Sequence, residues 1–349
     1  MPLDTHTLDE MRREARHLAG NQEIPILDLG PYLAGERGAL DALAAEVRRA
    51  QQDIGFYFTV NHGVPMETVR AAYAAMARFF ALPTDDKLAL SIDRETSTGY
   101  VPPKSTVYVT SPLNKNTKKD LNEVLIVCNE RSPDHPARLA GERFVGPNKW
   151  PSNVPGFREA LSACHRAQVK LGYAMLPVYA RALGLPADYF TPFFDDPTWI
   201  TRNAHYPAVP DAEDNQFGIA PHQDHGFITI LPLSDVPGLE VKTPDGRWIT
   251  ANVVPDSVII NTGEFLNRWS NGVLPASPHR VMPPPRDRYS IALFFNPNHD
   301  TVSTPLPGCA GPGNPAKFEP VRFIDYLGWY VDQNFKKGAG GAQGDGVAA

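Results

Sequence analysis

The first third of the chain alternates between helical and strand periodicity. IPILDL at 24–29 is a short buried-strand run closed by Gly30 and Pro31, and GFYFTVNHG at 55–63 is aromatic and β-branched and ends in a turn. Between them, residues 39–52 place Leu40, Leu43, Ala44 and Val47 on one helical face. Val64 to Phe80 repeats that pattern through Val69, Tyr73, Met76 and Phe80, starting near Pro65 and stopping before Leu82 and Pro83. Leu8 to Leu18 carries helical spacing among charges ahead of all of these. Farther along, Val154 to Leu183 is a long amphipathic stretch in which Pro177 is expected to kink the helix or end it one turn early.

After Phe194 the pattern changes to short apolar runs separated by turns: WITRNAHYP, GFITILPLS, LEVKTPDGRWITA, DSVIINTGEFL, HRVMPPP and RYSIALFFNPN. Asp245 and Gly246 make a hairpin signal between two of them. Many short strands at regular spacing predict a β-sandwich or jelly roll with the earlier helices packed outside it, a fold that is mainly β with flanking α. The resulting segmentation is a helical and strand region at 1–135, connecting helices at 136–194, a β core at 195–305, a C-terminal helix at 306–337 and a flexible Gly-rich tail at 338–349. Residues 91–122, rich in Ser, Thr, Pro and Lys, read as a long loop facing a substrate.

Composition narrows the function classes. The 349 residues carry a net charge of −6 without a Lys/Arg cluster beyond the short run from Lys115 to Lys119, so a nucleic-acid partner is not expected. Three scattered cysteines, Cys128, Cys164 and Cys309, fit a reducing compartment, and the cytoplasm is the expected location. No apolar run approaches the roughly 20 residues that span a bilayer, so no membrane association is expected, and the first residues lack the apolar core of a signal peptide. A monomer or a weak homo-oligomer acting on a small molecule fits these features.

The chemistry concentrates in APHQDHGF at 220–227. Pro221 and Gly226 disfavour a helix there, so the segment should be extended, with His222 and Asp224 on one face and Gln223 and His225 on the other. Two ligands hold a transition metal poorly. His279, in the strand-like SPHRVM, is the third candidate, whereas His299 lies in a polar loop. Two imidazoles and a carboxylate make the facial triad of iron(II) sites with open positions, although such mixed ligands also suit zinc. Nine residues beyond His279, Arg288 and Ser290 share a strand face with Ala292 and Phe294. An inward arginine needs an anion, and a guanidinium beside a hydroxyl is a good carboxylate receptor; a core salt bridge is the competing reading.

Taken together, HxD…H, RxS, IPILDL, GFYFTVNHGV, GLEV…DGRWI and NTGEFLNRWSNG resemble the isopenicillin-N-synthase-like branch of the 2-oxoglutarate- and iron(II)-dependent oxygenases over about residues 24–300. The resemblance implies a double-stranded β-helix (jelly-roll) core with an N-terminal α/β support region. It implies iron at His222, Asp224 and His279, and the carboxylate of 2-oxoglutarate at Arg288 and Ser290. Tyr206 matches the family's Tyr-Pro strand end and is implied as a further contact to the co-substrate, while Ala204 stands where many members carry asparagine. Arg202 shares the parity of Tyr206 and reads equally as an anchor for a substrate anion or as a rim ion pair. Phe227 and Phe294 are candidate shielding residues, and His205 and His225 are expected to face away from the metal.

The implied activity is the use of 2-oxoglutarate and O2 to hydroxylate or otherwise oxidise a C–H bond, with release of succinate and CO2. Two alternatives stand beside it: an iron oxidase that uses no 2-oxoglutarate, of the isopenicillin N synthase or aminocyclopropane-carboxylate oxidase type, and a non-catalytic jelly-roll binding protein.

Overall fold

The computed structural model describes residues 23–336 apart from 94, 107–117, 210 and 211. The expected helix at Leu8 to Leu18, part of the Lys115 to Lys119 run and the Gly-rich tail lie outside the described residues.

Two sheets form the core. Strands β1 (Ile26–Asp28), β2 (Phe56–Val60), β3 (Gly99–Val101), β4 (Glu123–Cys128), β5 (Thr198–Tyr206), β7 (Ile228–Pro232), β10 (Val258–Thr262) and β12 (Arg288–Asn296) make an eight-stranded sheet in the order β1-β2-β10-β7-β12-β5-β4-β3. Strands β6 (Ile219–His222), β8 (Leu239–Lys242), β9 (Trp248–Thr250) and β11 (His279–Val281) make a second sheet in the order β6-β11-β8-β9. Helices α1 (Gly30–Leu33), α2 (Ala39–Asp53), α3 (Met66–Phe80), α4 (Thr84–Leu88), α5 (Pro136–Leu139), α6 (Phe157–Ala182), α7 (Glu264–Trp269) and α8 (Phe323–Lys336) flank this β core, as expected.

The long helix α6 braces the large sheet from outside. Gln168 on it donates to the carbonyls of Ile230 and Ile291, both at 2.9 Å, and so ties β7 and β12 to the helix. Gly172 brings the helix backbone against the Phe295 ring, where a side chain would overlap the aromatic carbons. Pro177 does not end the helix one turn early. The helix continues to Ala182 because Leu176, Val178, Tyr179 and Ala180 around the proline are all buried, and packing outweighs the missing hydrogen bond.

Two local expectations change, and one strand that the sequence reading did not single out is added. Residues 91–122 are not a plain loop, because β3 forms within them and pairs with β4. The fully buried run EVLIVC at 123–128 is a strand in its own right, paired on its other side with β5. Strand DSVIINTGEFL stops at Thr262, and GEFL opens α7. Among the described residues no helix is long and apolar enough to cross a membrane.

Candidate active site

The register between β5 and β12 builds one wall of the site. Arg288 stands opposite Tyr206, Ser290 opposite Ala204 and Ala292 opposite Arg202. Strand alternation turns these six side chains, with Phe294, toward the second sheet, where they line a shared cavity.

The second sheet supplies the histidines. His222 ends β6 and is paired directly across from His279 on β11, with ring centroids 4.3 Å apart. Each Nδ1 meets a backbone carbonyl two residues back, that of Ala220 at 2.9 Å and that of Ser277 at 3.2 Å. A carbonyl only accepts, so both Nδ1 atoms carry the proton and both Nε2 atoms present a lone pair. The Nε2 atoms of His222 and His279 lie 3.8 and 3.6 Å from Oδ1 of Asp224. These three buried groups can place ligand atoms within 4.8 Å of one another, the one such metal-competent cluster among the described residues.

Asp224 lies just past β6, and its orientation comes from the opposite sheet. Its Oδ2 accepts from Thr229 at 2.6 Å and from Asn261 at 2.7 Å, which leaves Oδ1 toward the imidazoles. Burial alone would raise its pKa, but the neighbouring imidazoles and these hydrogen bonds outweigh it and hold the carboxyl below its usual range. Burial, with the nearby His279, pulls His222 down to about 3. A buried carboxylate facing two neutral imidazole lone pairs is a donor set suited to a divalent metal ion.

Beyond this cluster the cavity ends at Arg288. Its guanidinium is buried 4.9 Å from the Tyr206 ring, and its Nε donates to the carbonyl of Val236 at 3.2 Å. Its Nη1 is buried and has no hydrogen-bond partner, which does not fit the competing reading of a core salt bridge. A cationic donor left open at the end of a cavity fits a carboxylate brought by a ligand.

The side-chain parity expected for APHQDHGF holds for Gln223, which turns away to bond Glu264 and the carbonyl of Ala276. It fails at His225. The strand ends at His222, and the following turn is held by α7, whose first N–H groups donate to the carbonyls of Asp224 at 2.7 Å and Gly226 at 3.1 Å. His225 is thereby swung into a second cavity beside His222 and Asp224, which Arg202 and Phe294 also line. His205 does face away and bonds Glu123 at 2.8 Å. Phe227 lines neither cavity; it is fully buried among Tyr179, Phe190, Phe194 and Trp269 on the outer side of the sheet. Packed among these rings, Phe227 does not shield the site as expected.

Several residues around the site were not singled out from the sequence. Asn261 sat inside the NTGEFL signature without an assigned role, and Thr229 lay in a plain strand. Tyr330, from α8, packs over His225 and closes the second cavity from the C-terminal end of the chain. Asp120, buried at the end of the 91–122 segment, accepts from the N–H of Ala220 at 2.9 Å, the residue whose carbonyl meets His222 Nδ1.

Comparison with known proteins agrees with this geometry. A family model described as the 2OG-Fe(II) oxygenase superfamily matches residues 197–297, and one described as the N-terminal region of the non-haem dioxygenase in morphine synthesis matches 24–153. The 2-oxoglutarate-Fe(II) type oxidoreductase hxnY of Emericella nidulans is 32% identical over 319 residues, covering 89% of this chain and 90% of its own. Among solved structures, full-length Neurospora crassa T7H in complex with alpha-KG superposes with a TM-score of 0.77 at 29% identity, covering 88% of this chain and 95% of that one. JOX2 in complex with 2OG, Fe and JA gives 0.73 at 30% identity, covering 88% and 84%.

Proposed function

The chain belongs to the 2OG-Fe(II) oxygenase superfamily and is an iron(II)- and 2-oxoglutarate-dependent dioxygenase, and on that premise we propose that His222, Asp224 and His279 hold the iron while Arg288, Ser290 and Tyr206 hold the co-substrate. The observation that carries this assignment is the convergence of two imidazole lone pairs on Oδ1 of Asp224 at one end of a cavity whose other end is the open Nη1 of Arg288. Bound there, iron(II) with 2-oxoglutarate and O2 supplies an oxidative decarboxylation that releases succinate and CO2 and oxidises a substrate C–H bond.

The protein's own part is positioning and exclusion of water. Arg288 and Ser290 orient the far carboxylate of the keto acid, with Tyr206 fixing the guanidinium plane. Asn261 and Thr229 hold Asp224 so that one oxygen faces the metal. Phe294, which lines both cavities, supplies the apolar shield between them. The substrate is a small molecule that enters the second cavity, beside His222 and Asp224. Hydroxylation is the proposed outcome at the substrate carbon. The acidic balance argues for no nucleic-acid partner, the three buried free cysteines fit a cytoplasmic location, and the protein is proposed to act as a monomer or weak homo-oligomer.

The test is succinate formation from 2-oxoglutarate by the iron-loaded protein under air, in parent, Arg288→Lys and Arg288→Leu. The expected result is a KM for 2-oxoglutarate raised about 10- to 100-fold by the loss of the forked donors. Unchanged KM values in both variants would remove Arg288 from the co-substrate site.

A further inference from the structure

The second cavity sorts small molecules by charge. Its walls are largely apolar, formed by Ile92, Ile126, Phe144, Ile200, Phe294 and Leu327. The polar side chains among them are, with one exception, engaged within the protein. Ser97 accepts from Arg143 at 3.0 Å, Asn334 donates to the carbonyl of Tyr330 at 3.0 Å, and the Tyr330 hydroxyl donates to the carbonyl of Gln223 at 3.2 Å. Thr106 donates to Asp120. Arg202 is engaged as well, with the buried Asp120 carboxyl in its field. Under the assignment above, His222 and Asp224 serve the iron. Among the described residues that line the cavity, none therefore offers a ligand a spare charge, and burying an ion against such walls without a partner is costly.

The exception is His225. It lines the cavity, is 7% exposed, and has its ring packed between Phe294 and Tyr330, with centroids 4.9 Å away on each side. Its Nε2 is buried and has no hydrogen-bond partner. Folded proteins seldom leave a buried polar nitrogen unmatched, so one held between two rings beside a cavity is suited to a partner from outside the chain. The aromatic clamp fixes the imidazole before that partner arrives, which lowers the ordering cost of binding. An imidazole nitrogen donates or accepts according to its tautomer, so a hydroxyl or a carbonyl oxygen satisfies it.

We infer that this cavity takes an uncharged, largely hydrocarbon molecule that carries a hydroxyl or carbonyl group, with that oxygen hydrogen-bonded to His225 and the hydrocarbon body laid against Phe294, Ile200 and Leu327. The inference deepens the oxygenase reading and rests on it only for taking His222 and Asp224 as ligands of iron and not of substrate. Apolar walls with one unmatched nitrogen disfavour carboxylates, phosphates and organic cations, which need a counter-charge, and sugars, which need many polar partners. The competing assignment is an anionic substrate that draws Arg202 away from its partner in the protein.

The test uses five probes built on one hydrocarbon frame: 1-indanol, 1-indanone, indane, indane-1-carboxylate and 1-aminoindane. Dissociation constants are measured by calorimetry on the full chain, both metal-free and loaded anaerobically with iron(II) and 2-oxoglutarate. The parent is expected to bind the alcohol and the ketone at least about 10-fold more tightly than either ion, because the ions lose their hydration without gaining a partner. His225→Phe preserves the ring packing and removes the nitrogen, so it should weaken the alcohol and the ketone by about 3- to 10-fold and spare indane. His225→Asn, which restores a hydrogen-bonding group, should recover part of that loss. Thermal melts identify any variant that fails to fold, and the ranking of the five probes by the parent decides the question in that case.

Binding of either ion as tightly as the alcohol and the ketone, or no binding of the alcohol and the ketone, overturns the inference. So does a folded His225→Phe protein that binds all five probes as the parent does. Failure of the iron assignment looks different: the protein then makes no succinate from 2-oxoglutarate, while a His225-dependent preference for the alcohol and the ketone survives on the metal-free chain.

Discussion

Asn261 donates to one oxygen of Asp224 at 2.7 Å, and the other oxygen of the same carboxylate is left facing the Nε2 atoms of His222 and His279. The two residues come from opposite sheets, so the large sheet aims a ligand that the small sheet's strand delivers. Asn261→Ala should leave the fold intact and weaken iron(II) or manganese(II) affinity by about 10- to 100-fold, as loss of such an orienting partner commonly does. A metal titration with parent-like affinity would show that Thr229 alone fixes the carboxylate.

Asp224 and His225 are neighbours in sequence with separate proposed tasks. Asp224→Ala is expected to abolish iron binding, whereas His225→Ala should retain close to one iron per chain, measured after anaerobic loading and desalting. Loss of iron from both variants to the same extent would place His225 among the ligands.

Gly263 fills the space where β10 passes into α7. A methyl group there would overlap the carbonyl of Gly226, the turn that sets the position of Asp224 and His225. Gly263→Ala should lower stability by about 1–3 kcal/mol, seen as a reduced Tm, and should weaken metal affinity with it. A variant that melts with the parent would mean that the turn can move without consequence.

Asp120 gives the pH dependence. Burial pushes its carboxyl up to about 7, against the hydrogen bond from Ala220 and the charge of Arg202. Between the ordinary carboxylate range near pH 4 and about pH 7, the folded chain keeps a proton that the unfolded chain releases. This group's contribution to stability is thus complete below the unfolded pKa and is lost as pH rises through the folded one. Asp120→Asn keeps an acceptor for Ala220 and cannot ionise, so its Tm should gain on the parent as the pH is raised from about 4 to about 7. A constant Tm difference across that range would show that Asp120 does not titrate there.

Strand alternation made part of the site legible. Alternation alone put Arg288 with Ser290 and Arg202 with Tyr206, and the β5–β12 register, which the sequence did not give, joins the two sets. It failed at the strand end. Nothing local in HQDHGF tells that β6 stops at His222, because the turn is fixed by N–H groups of α7, some forty residues on. For the same reason GEFL, apolar and following a strand, read as more strand until Gly263 packed on Gly226. Asn261, Thr229 and Tyr330 acquire their roles only through contacts across the two sheets and from the last helix, which no spacing in a single sequence encodes. EVLIVC was a short apolar run of the kind that a fully buried strand produces, and its signal was present without alternation to mark it.

The central assignment is tested most directly by a crystal structure of the protein grown without oxygen in iron(II) and 2-oxoglutarate. The expected density shows one metal held by His222, Asp224 and His279, with the far carboxylate of the keto acid against Arg288 and Ser290. Metal bound by another set of side chains, or a keto acid lying away from Arg288, would contradict it.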